Sequence, residues 1–237
     1  MAAPASPYLV PGFYDRALAN GKHRDIVGGR WDETGRIQMQ ILRDAGMQPH
    51  HHLLDIGAGS LRLGCKAVPY LNPGHYWATD ASHALMLRGR DCELEDPSRL
   101  PPDHLMAEDD FSLSQAPAQI DYAIAFGVFT HLTADHLDRC LTAVAQRLPN
   151  LTAFLFTTFL APDAFLGEPY RQPDGVVTHA DRPPYHRSAH SVAAAVTAAG
   201  LFPRFSDQRL PRGQVLCIAT RGPDSGGESP RTGQANR

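Results

Sequence analysis

Short apolar runs of strand length alternate with helical patterns along most of this chain, and this alternation constrains the fold more than any other feature. Several of the five runs are apolar on both faces, as buried parallel strands require. After the last run, a helical pattern closed by Gly200 leads to a segment typical of a β-hairpin. We therefore predict an α/β fold with a Rossmann-like, doubly wound, seven-stranded sheet, mostly parallel, with a C-terminal antiparallel hairpin. The runs are HLLDI (52–56), HYWATD (75–80), HLMAED (104–109), IDYAIAFGV (120–128) and TAFLFTTFL (152–160).

Two segments, besides the C-terminus, fall outside this alternation. Residues 1–50 precede the first strand and carry an amphipathic helical pattern, so we predict an N-terminal helical cap. Residues 51–222 would form the core, interrupted at 161–187 by an insertion with five prolines. An excursion of that length is expected to be a lid or a pocket wall. Residues 223–237 are rich in Gly, Ser and polar side chains and are predicted to be a disordered tail.

Composition excludes several classes of partner. The formal net charge of -3 supplies no cationic surface, so we expect neither nucleic acid nor an anionic membrane as the partner. No apolar run approaches the roughly 20 residues of a membrane span, and the N-terminus has no export signal, which predicts a cytoplasmic protein. The four cysteines lie far apart and indicate neither a disulfide set nor a zinc site. No feature of the sequence indicates an oligomeric state.

The loop after the first strand, LLDIGAGSLRLG, carries an acid and two glycines. Gly57 and Gly59 would let the backbone turn sharply and approach a ligand where a Cβ would clash. A dinucleotide-binding loop requires a third glycine three residues later, where this chain has Arg62. Asp55 just before the glycines would repel a pyrophosphate, but it suits the ammonium and sulfonium cations of S-adenosylmethionine.

Acids also end the second and third strands. Asp80 stands 21 residues after Gly59, a spacing at which a carboxylate can accept both hydroxyls of a ribose. Asp109 and Asp110 precede Phe111 and could receive an adenine amino group, with the aromatic ring covering the base. Each acid alone could be a helix cap or a turn residue. For the adenine contact we favour Asp110 over Asp109.

The segments LLDIGAGSLRLG, ATD, EDDF and AIAFGVFTHL resemble, in this order, the motifs of class I S-adenosylmethionine-dependent methyltransferases of the bacterial small-molecule type. The resemblance spans roughly residues 30–220. It implies that S-adenosyl-L-methionine is the cofactor. It also implies that Asp55, Gly57 and Gly59 hold the methionine part, Asp80 the ribose, and Asp110 with Phe111 the adenine; Phe126, in the fourth motif, is included among the cofactor contacts.

The acceptor is expected near the end of the fourth strand, which reads AFGVFTHL and lacks the xPPY-type signature of amino-group methyltransferases. His131 is the candidate catalytic base, because an imidazole titrates near neutrality and could deprotonate a hydroxyl. It could instead only pack or hydrogen-bond ahead of the next helix. Other histidines that could reach the acceptor are His23, His179, His186 and His190.

Three aromatic side chains, Tyr14, Trp31 and Tyr170, are candidates for the lining of a substrate pocket, although isolated aromatics also occur in cores. The run of three histidines at 50–52 would point alternately to opposite faces of a strand, so we predict no metal site. Together these patterns predict a methyltransferase that acts on a small-molecule acceptor, at a hydroxyl oxygen of a natural product or sugar. The alternatives are a protein that binds the cofactor without transferring methyl, for cyclisation or rearrangement, and an N-methyltransferase of a small amine; a nicotinamide enzyme fits least well.

Overall fold

The structure is a computed structural model that describes Ser6, Tyr8, residues 12–208 and residues 210–222. The tail predicted at 223–237 lies outside the described residues. Six α-helices are described: α1 (Phe13–Ala19), α2 (Trp31–Asp44), α3 (Gly64–Tyr70), α4 (His83–Glu93), α5 (Ala134–Arg147) and α6 (Ala189–Ala198). The strands are β1 (Leu53–Ile56), β2 (Tyr76–Asp80), β3 (Leu105–Ala107), β4 (Tyr122–Ala125), β5 (Ala153–Leu160), β6 (Tyr170–Arg171), β7 (Val177–Thr178), β8 (His186–Arg187), β9 (Phe202–Phe205) and β10 (Val215–Thr220).

The main sheet confirms the predicted architecture. Its strand order is β3-β2-β1-β4-β5-β10-β9, with the first five strands parallel to one another. Strand β10 runs antiparallel to both β5 and β9, so the chain ends in the expected hairpin at one edge. The short β8, which pairs in parallel with the end of β5, adds an eighth strand that the sequence does not mark. All four residues of β1 and of β4 are buried, which explains why these strands are apolar on both faces.

Helices cover both faces of the sheet. Helices α2, α3 and α4 bury residues such as Leu42 and Val68 in one apolar cluster, and α5 and α6 bury residues such as Leu141 and Val196 in another. In α5 the buried positions recur with the helical period that the sequence shows. Because both faces are covered, polar ligands can reach the sheet only at its edges and strand ends. No helix among the described residues combines the length and the apolar character that a bilayer crossing needs.

The two segments outside the alternation take different positions. The N-terminal segment contributes α1 and α2, with a short 3-10 turn at Asp25–Val27 between them. The insertion at 161–187 forms the small antiparallel β6–β7 hairpin and then returns to the main sheet as β8. Its last residues therefore lie beside the carboxyl end of β5.

Candidate active site

A cavity of about 240 Å³ opens at the carboxyl ends of the parallel strands. Residues that follow β1, β2, β3 and β4 line it, around the point where the strand order reverses between β1 and β4. At such a point the connections that follow the two neighbouring strands run in opposite directions and leave a crevice between them. This crevice is the usual ligand position in doubly wound sheets. Loops from the N-terminal segment and from the β9–β10 connection complete the wall.

The glycine loop has the backbone conformation that only glycine adopts freely. Gly57 has φ +71° and Gly59 has φ +58°, both in the left-handed region. A Cβ on Gly57 would lie 2.6 Å from Cγ2 of Val128, and a Cβ on Gly59 would collide with Cγ1 of Val27. The two glycines therefore let the loop pass close to the side chains of Val27 and Val128 while its backbone stays at the cavity wall.

Asp80 ties this loop to the end of β2. Its carboxylate accepts a hydrogen bond from the Gly59 N–H at 2.9 Å and another from the Ser82 N–H at 3.0 Å. The side chain is buried, and burial raises its pKa, while the two backbone hydrogen bonds act in the opposite direction. Each carboxylate oxygen has a second lone pair, so Asp80 can still accept hydrogen bonds from a ligand in the cavity.

Asp55 lies at the floor of the cavity, at the end of β1. It is only 3% exposed and accepts a hydrogen bond from the Tyr76 hydroxyl at 2.6 Å. Burial raises its pKa to about 7, although the Tyr76 hydrogen bond and the charge of Arg62 both oppose this rise. A carboxyl group with that pKa exchanges its proton in the physiological range, and a cationic ligand would favour its ionised form.

The segment after the third strand places the two Asp residues differently. Asp110 does not line the cavity, and its carboxylate accepts a hydrogen bond from the Ser112 N–H at 3.0 Å. Asp109 and Glu108 do line it, together with Phe111. The adenine contact stays a prediction, for which Asp109 is the residue of the pair at the cavity wall. The backbone of Phe111 has φ +59°, a left-handed turn that reverses the chain beside the cavity.

His131 lies in the loop after β4, with Phe126 at the start of that loop, and both line the cavity. The imidazole contacts the ring of Tyr8 edge-on, with ring centroids 5.2 Å apart. Burial lowers its pKa, and the positive charge of Arg212 lowers it further. The ring is therefore neutral at physiological pH, the state a general base needs. Of the five histidines considered above, His131 alone lines the cavity. His23 instead bonds Glu93, and His186 bonds Thr178.

Only one of the three candidate substrate aromatics lies in this cavity. Tyr14 lines it, whereas Trp31 and Tyr170 do not. Trp31 begins α2 with its ring under the guanidinium of Arg24, at 5.3 Å, and Tyr170 packs against Phe165 in the insertion, at 5.1 Å. The role of Trp31 and Tyr170 as substrate contacts stays a prediction, and in this structure both rings pack against local partners outside the cavity.

The insertion at 161–187 supports the His131 loop from behind. None of its residues lines the cavity, so the structure does not show it as a lid or pocket wall. Its Tyr185 N–H instead donates to the Thr130 carbonyl at 2.7 Å. The half-buried Arg187 donates from its guanidinium to the Phe129 carbonyl at 2.8 Å and to the Leu132 carbonyl at 2.7 Å. Burial lowers the pKa of Arg187 to about 10, which leaves it charged at neutral pH.

Sequence reasoning misses several residues of the cavity. Tyr8, Arg212 and Gln214 line it, and so does Arg62, which the sequence marks only as a missing glycine. Tyr8 precedes every recognisable element, and Arg212 stands in a segment that the sequence marks only as a turn. No periodicity or motif identifies them, because their role arises from chain segments that meet only in three dimensions.

No family model matches the chain. Among similar solved structures is a magnesium protoporphyrin IX methyltransferase from Synechocystis PCC 6803 with bound S-adenosylmethionine, at 13% identity and a TM-score of 0.58, covering 91% of this chain and 94% of that one. Another is an amino pentose methyltransferase from Micromonospora echinaspora, solved with S-adenosylmethionine, at 18% identity and a TM-score of 0.58, covering 90% and 98%.

A third similar structure is the 1,6-didemethyltoxoflavin-N1-methyltransferase of Burkholderia thailandensis, solved with its substrate and S-adenosylhomocysteine. It is 21% identical, with a TM-score of 0.59, and the match covers 93% of this chain and 92% of that one. These matches extend over nearly the whole length of both partners, and the strand order of the sheet agrees with the architecture predicted from the sequence. The chain therefore has the fold of the class I S-adenosylmethionine-dependent methyltransferases.

Proposed function

We propose that this protein binds S-adenosylmethionine and transfers its methyl group to a hydroxyl oxygen of a small molecule. The observation that carries the proposal is one cavity in which a glycine loop, two buried carboxylates and a neutral histidine meet: Gly57, Gly59, Asp55, Asp80 and His131. The similar structures with bound S-adenosylmethionine or S-adenosylhomocysteine support the choice of cofactor. Their acceptors differ widely, so the hydroxyl target depends on His131.

The cavity residues suit this cofactor in charge and in shape. Asp80 would accept hydrogen bonds from the ribose hydroxyls, and Asp55 would face the cationic methionine part beside Gly57 and Gly59. Asp109, with Phe111, would receive the adenine in place of Asp110. The left-handed backbone of both glycines holds the turning loop at the cavity wall, where a ligand could contact it. When bound, the cofactor supplies a methyl group that its sulfonium has already activated for displacement.

The protein's own contribution is then alignment and proton removal. Tyr8, Tyr14 and the loop after β4 would hold the acceptor, with its hydroxyl directed to His131. The neutral imidazole would accept the hydroxyl proton while the oxygen attacks, and alignment in an enclosed site would supply much of the remaining acceleration. Arg187 and Tyr185 would act as positioning residues, because they hold the carbonyls of the loop that carries His131.

The test combines cofactor binding with transfer of an isotope-labelled methyl group. We expect the purified protein to bind S-adenosylmethionine in calorimetry and to label at least one phenol or sugar hydroxyl in a panel of acceptors. His131→Gln should then lower kcat by roughly 100-fold, a typical contribution of general base catalysis, with unchanged cofactor affinity. Wild-type activity should fall as the pH drops through a value below 6.5, since the pKa of His131 is lowered and its protonated form cannot accept a proton.

His190→Gln is the matched control, since this exposed histidine of α6 does not line the cavity. Full turnover in His131→Gln would refute the role of His131 as a base. Cofactor binding without S-adenosylhomocysteine formation from any hydroxyl acceptor would refute methyl transfer to oxygen. It would leave the two alternatives, binding without methyl transfer and transfer to an amine.

A further inference from the structure

Charges are distributed unevenly around the cavity. Four carboxylates line it near the strand ends, and three arginines, Arg30, Arg62 and Arg212, line the remaining wall. Arg30 lies 3.7 Å from Glu33, and the charge of Arg62 acts on Asp55. Neither Arg62 nor Arg212 has a carboxylate within 4.0 Å among the described residues. The charge of Asp55 still acts on Arg62, so the exposed Arg212 is the cation at the cavity wall with the weakest counter-charge from the described protein.

The backbone holds Arg212 in a conformation that is uncommon for a residue with a side chain. It lies in the 3-10 turn Pro211–Gly213 between β9 and β10, with φ +63°. Such left-handed residues are enriched at ligand sites, where the surroundings enforce the strain. Its Nη2 donates to the Gly28 carbonyl at 2.9 Å, which uses one of the five N–H donors of the guanidinium.

Hydrogen bonds fix the position of this turn relative to the loop that carries His131. Gln214, next to the turn, accepts a hydrogen bond from the Thr157 hydroxyl at 2.6 Å. The same Thr157 oxygen accepts a hydrogen bond from the Gly127 N–H at 2.7 Å, at the start of the His131 loop. Arg212 and His131 are thereby held on one side of the cavity, with Tyr8 packed against the imidazole.

We infer that Arg212 binds a carboxylate on the acceptor, so that the substrate is a small aromatic hydroxy acid. This inference rests on the proposed function. A guanidinium with free donors matches a carboxylate in charge and in planar geometry. The rings of Tyr8, Tyr14 and His131 provide aromatic surfaces in the same cavity. A protonated amine would be repelled by the same cation, which disfavours the N-methyltransferase alternative.

The cofactor's own methionine carboxylate is a second source of the same chemistry. Arg62 is the better candidate for that group, because its charge acts on Asp55 at the glycine loop and it is anchored to the Val27 carbonyl at 2.6 Å. The charges of Arg62 and Arg212 both act on Tyr8, but of the two only that of Arg212 acts on His131. An experiment can separate the two sources, because one carboxylate belongs to the cofactor and the other to the acceptor.

The probes are benzoate, 4-hydroxybenzoate and 3,4-dihydroxybenzoate, each compared with the corresponding benzyl alcohol by calorimetry on protein saturated with S-adenosylhomocysteine. We expect at least one acid to bind roughly tenfold tighter than its alcohol, as a charged hydrogen bond at a partly exposed site allows. Arg212→Gln should abolish this preference, and Arg212→Lys should keep part of it. Arg147→Gln is the control. This arginine is exposed at the end of α5, so its substitution changes the charge by the same amount outside the cavity.

Three outcomes would overturn the inference. If no acid is preferred over its alcohol while S-adenosylhomocysteine binds, the acceptor carries no carboxylate and the proposed function still stands. If Arg212→Gln instead weakens S-adenosylhomocysteine binding tenfold and keeps the acid preference, Arg212 serves the cofactor. If wild-type protein binds no S-adenosylhomocysteine, the proposed function fails and the inference fails with it. Thermal melts of each variant establish that all are folded.

Discussion

The two ends of the cavity are built from different kinds of backbone. At the proposed cofactor end, Gly59 follows β1, Asp80 ends the neighbouring parallel β2, and the two residues bond each other directly at 2.9 Å. At the proposed acceptor end, Tyr8, His131 and Arg212 come from three loops that are far apart in the sequence. The first end is positioned by the sheet itself. The second depends on contacts between loops and on residues behind the cavity wall.

This difference leads to different expectations for substitutions. A change at the cofactor end should act locally and mainly on cofactor affinity, because the sheet hydrogen bonds remain. A change behind the acceptor end should leave cofactor affinity intact and act on turnover, because the loop that carries His131 loses its support. Three predictions follow from this contrast, in decreasing order of expected effect.

The largest effect is expected at Asp80. Asp80→Ala removes the acceptor of the Gly59 and Ser82 N–H groups and the proposed ribose contact at once. Because hydrogen bonds to a charged group contribute about 1.5–3 kcal/mol each, we expect S-adenosylmethionine to bind about 100-fold more weakly in calorimetry. Asp80→Asn, which keeps one oxygen, should lie between this variant and wild type. Asp174→Ala, an exposed acid outside the cavity, serves as the control. A loss of less than threefold in Asp80→Ala would contradict the role of Asp80 in cofactor binding.

The same contrast explains which parts of the molecule the sequence predicts. The mostly parallel sheet and its C-terminal hairpin follow from local patterns, and Asp55, Gly57 and Asp80, which line the cavity, stand at the ends of recognisable strands. The choice between Asp109 and Asp110 does not follow from the sequence, because either residue of an Asp pair can make the turn and only the backbone decides which one does. Nothing in the sequence marks Arg212 as a cavity residue, since its partner Gly28 lies 184 positions away.

The second prediction concerns support of the acceptor end by Arg187. Arg187→Met keeps the apolar stem but removes the donors to the Phe129 and Leu132 carbonyls. We expect the free energy of unfolding to fall by about 2 kcal/mol and kcat to fall roughly tenfold, with unchanged affinity for S-adenosylmethionine. Chemical denaturation, steady-state kinetics and calorimetry measure the three quantities.

Arg171→Met is the matched control, because this exposed arginine of the same insertion bonds only the Gly175 carbonyl among the described residues. Equal losses of kcat and cofactor affinity in Arg187→Met would show that the two ends are not supported separately. Unchanged kcat with lowered stability would limit Arg187 to a purely structural role.

The smallest effect is expected from protonation of Asp55, at the cofactor end. Burial raises its pKa to about 7, so without ligand the carboxyl group is partly protonated at neutral pH. The cationic methionine part favours the ionised form, so affinity should rise with pH, about fivefold between about pH 6 and 7. Tyr76→Phe removes a hydrogen bond that lowers this pKa and should move the rise to higher pH.

Stability of the ligand-free protein should change in the opposite sense. The unfolded chain releases the Asp55 proton near pH 4, whereas the folded protein keeps it until about pH 7. Between these values the folded state binds more protons, so the Asp55 contribution to the free energy of unfolding falls as pH rises and stays constant above the folded pKa.

Asp55→Asn should remove both the pH dependence of cofactor affinity and that of stability. Denaturation and calorimetry over this range test the point together, because a cofactor affinity that still rises with pH in Asp55→Asn would assign the titration to another group. In that case the cationic end of the ligand would not be recognised by the acid at the end of β1.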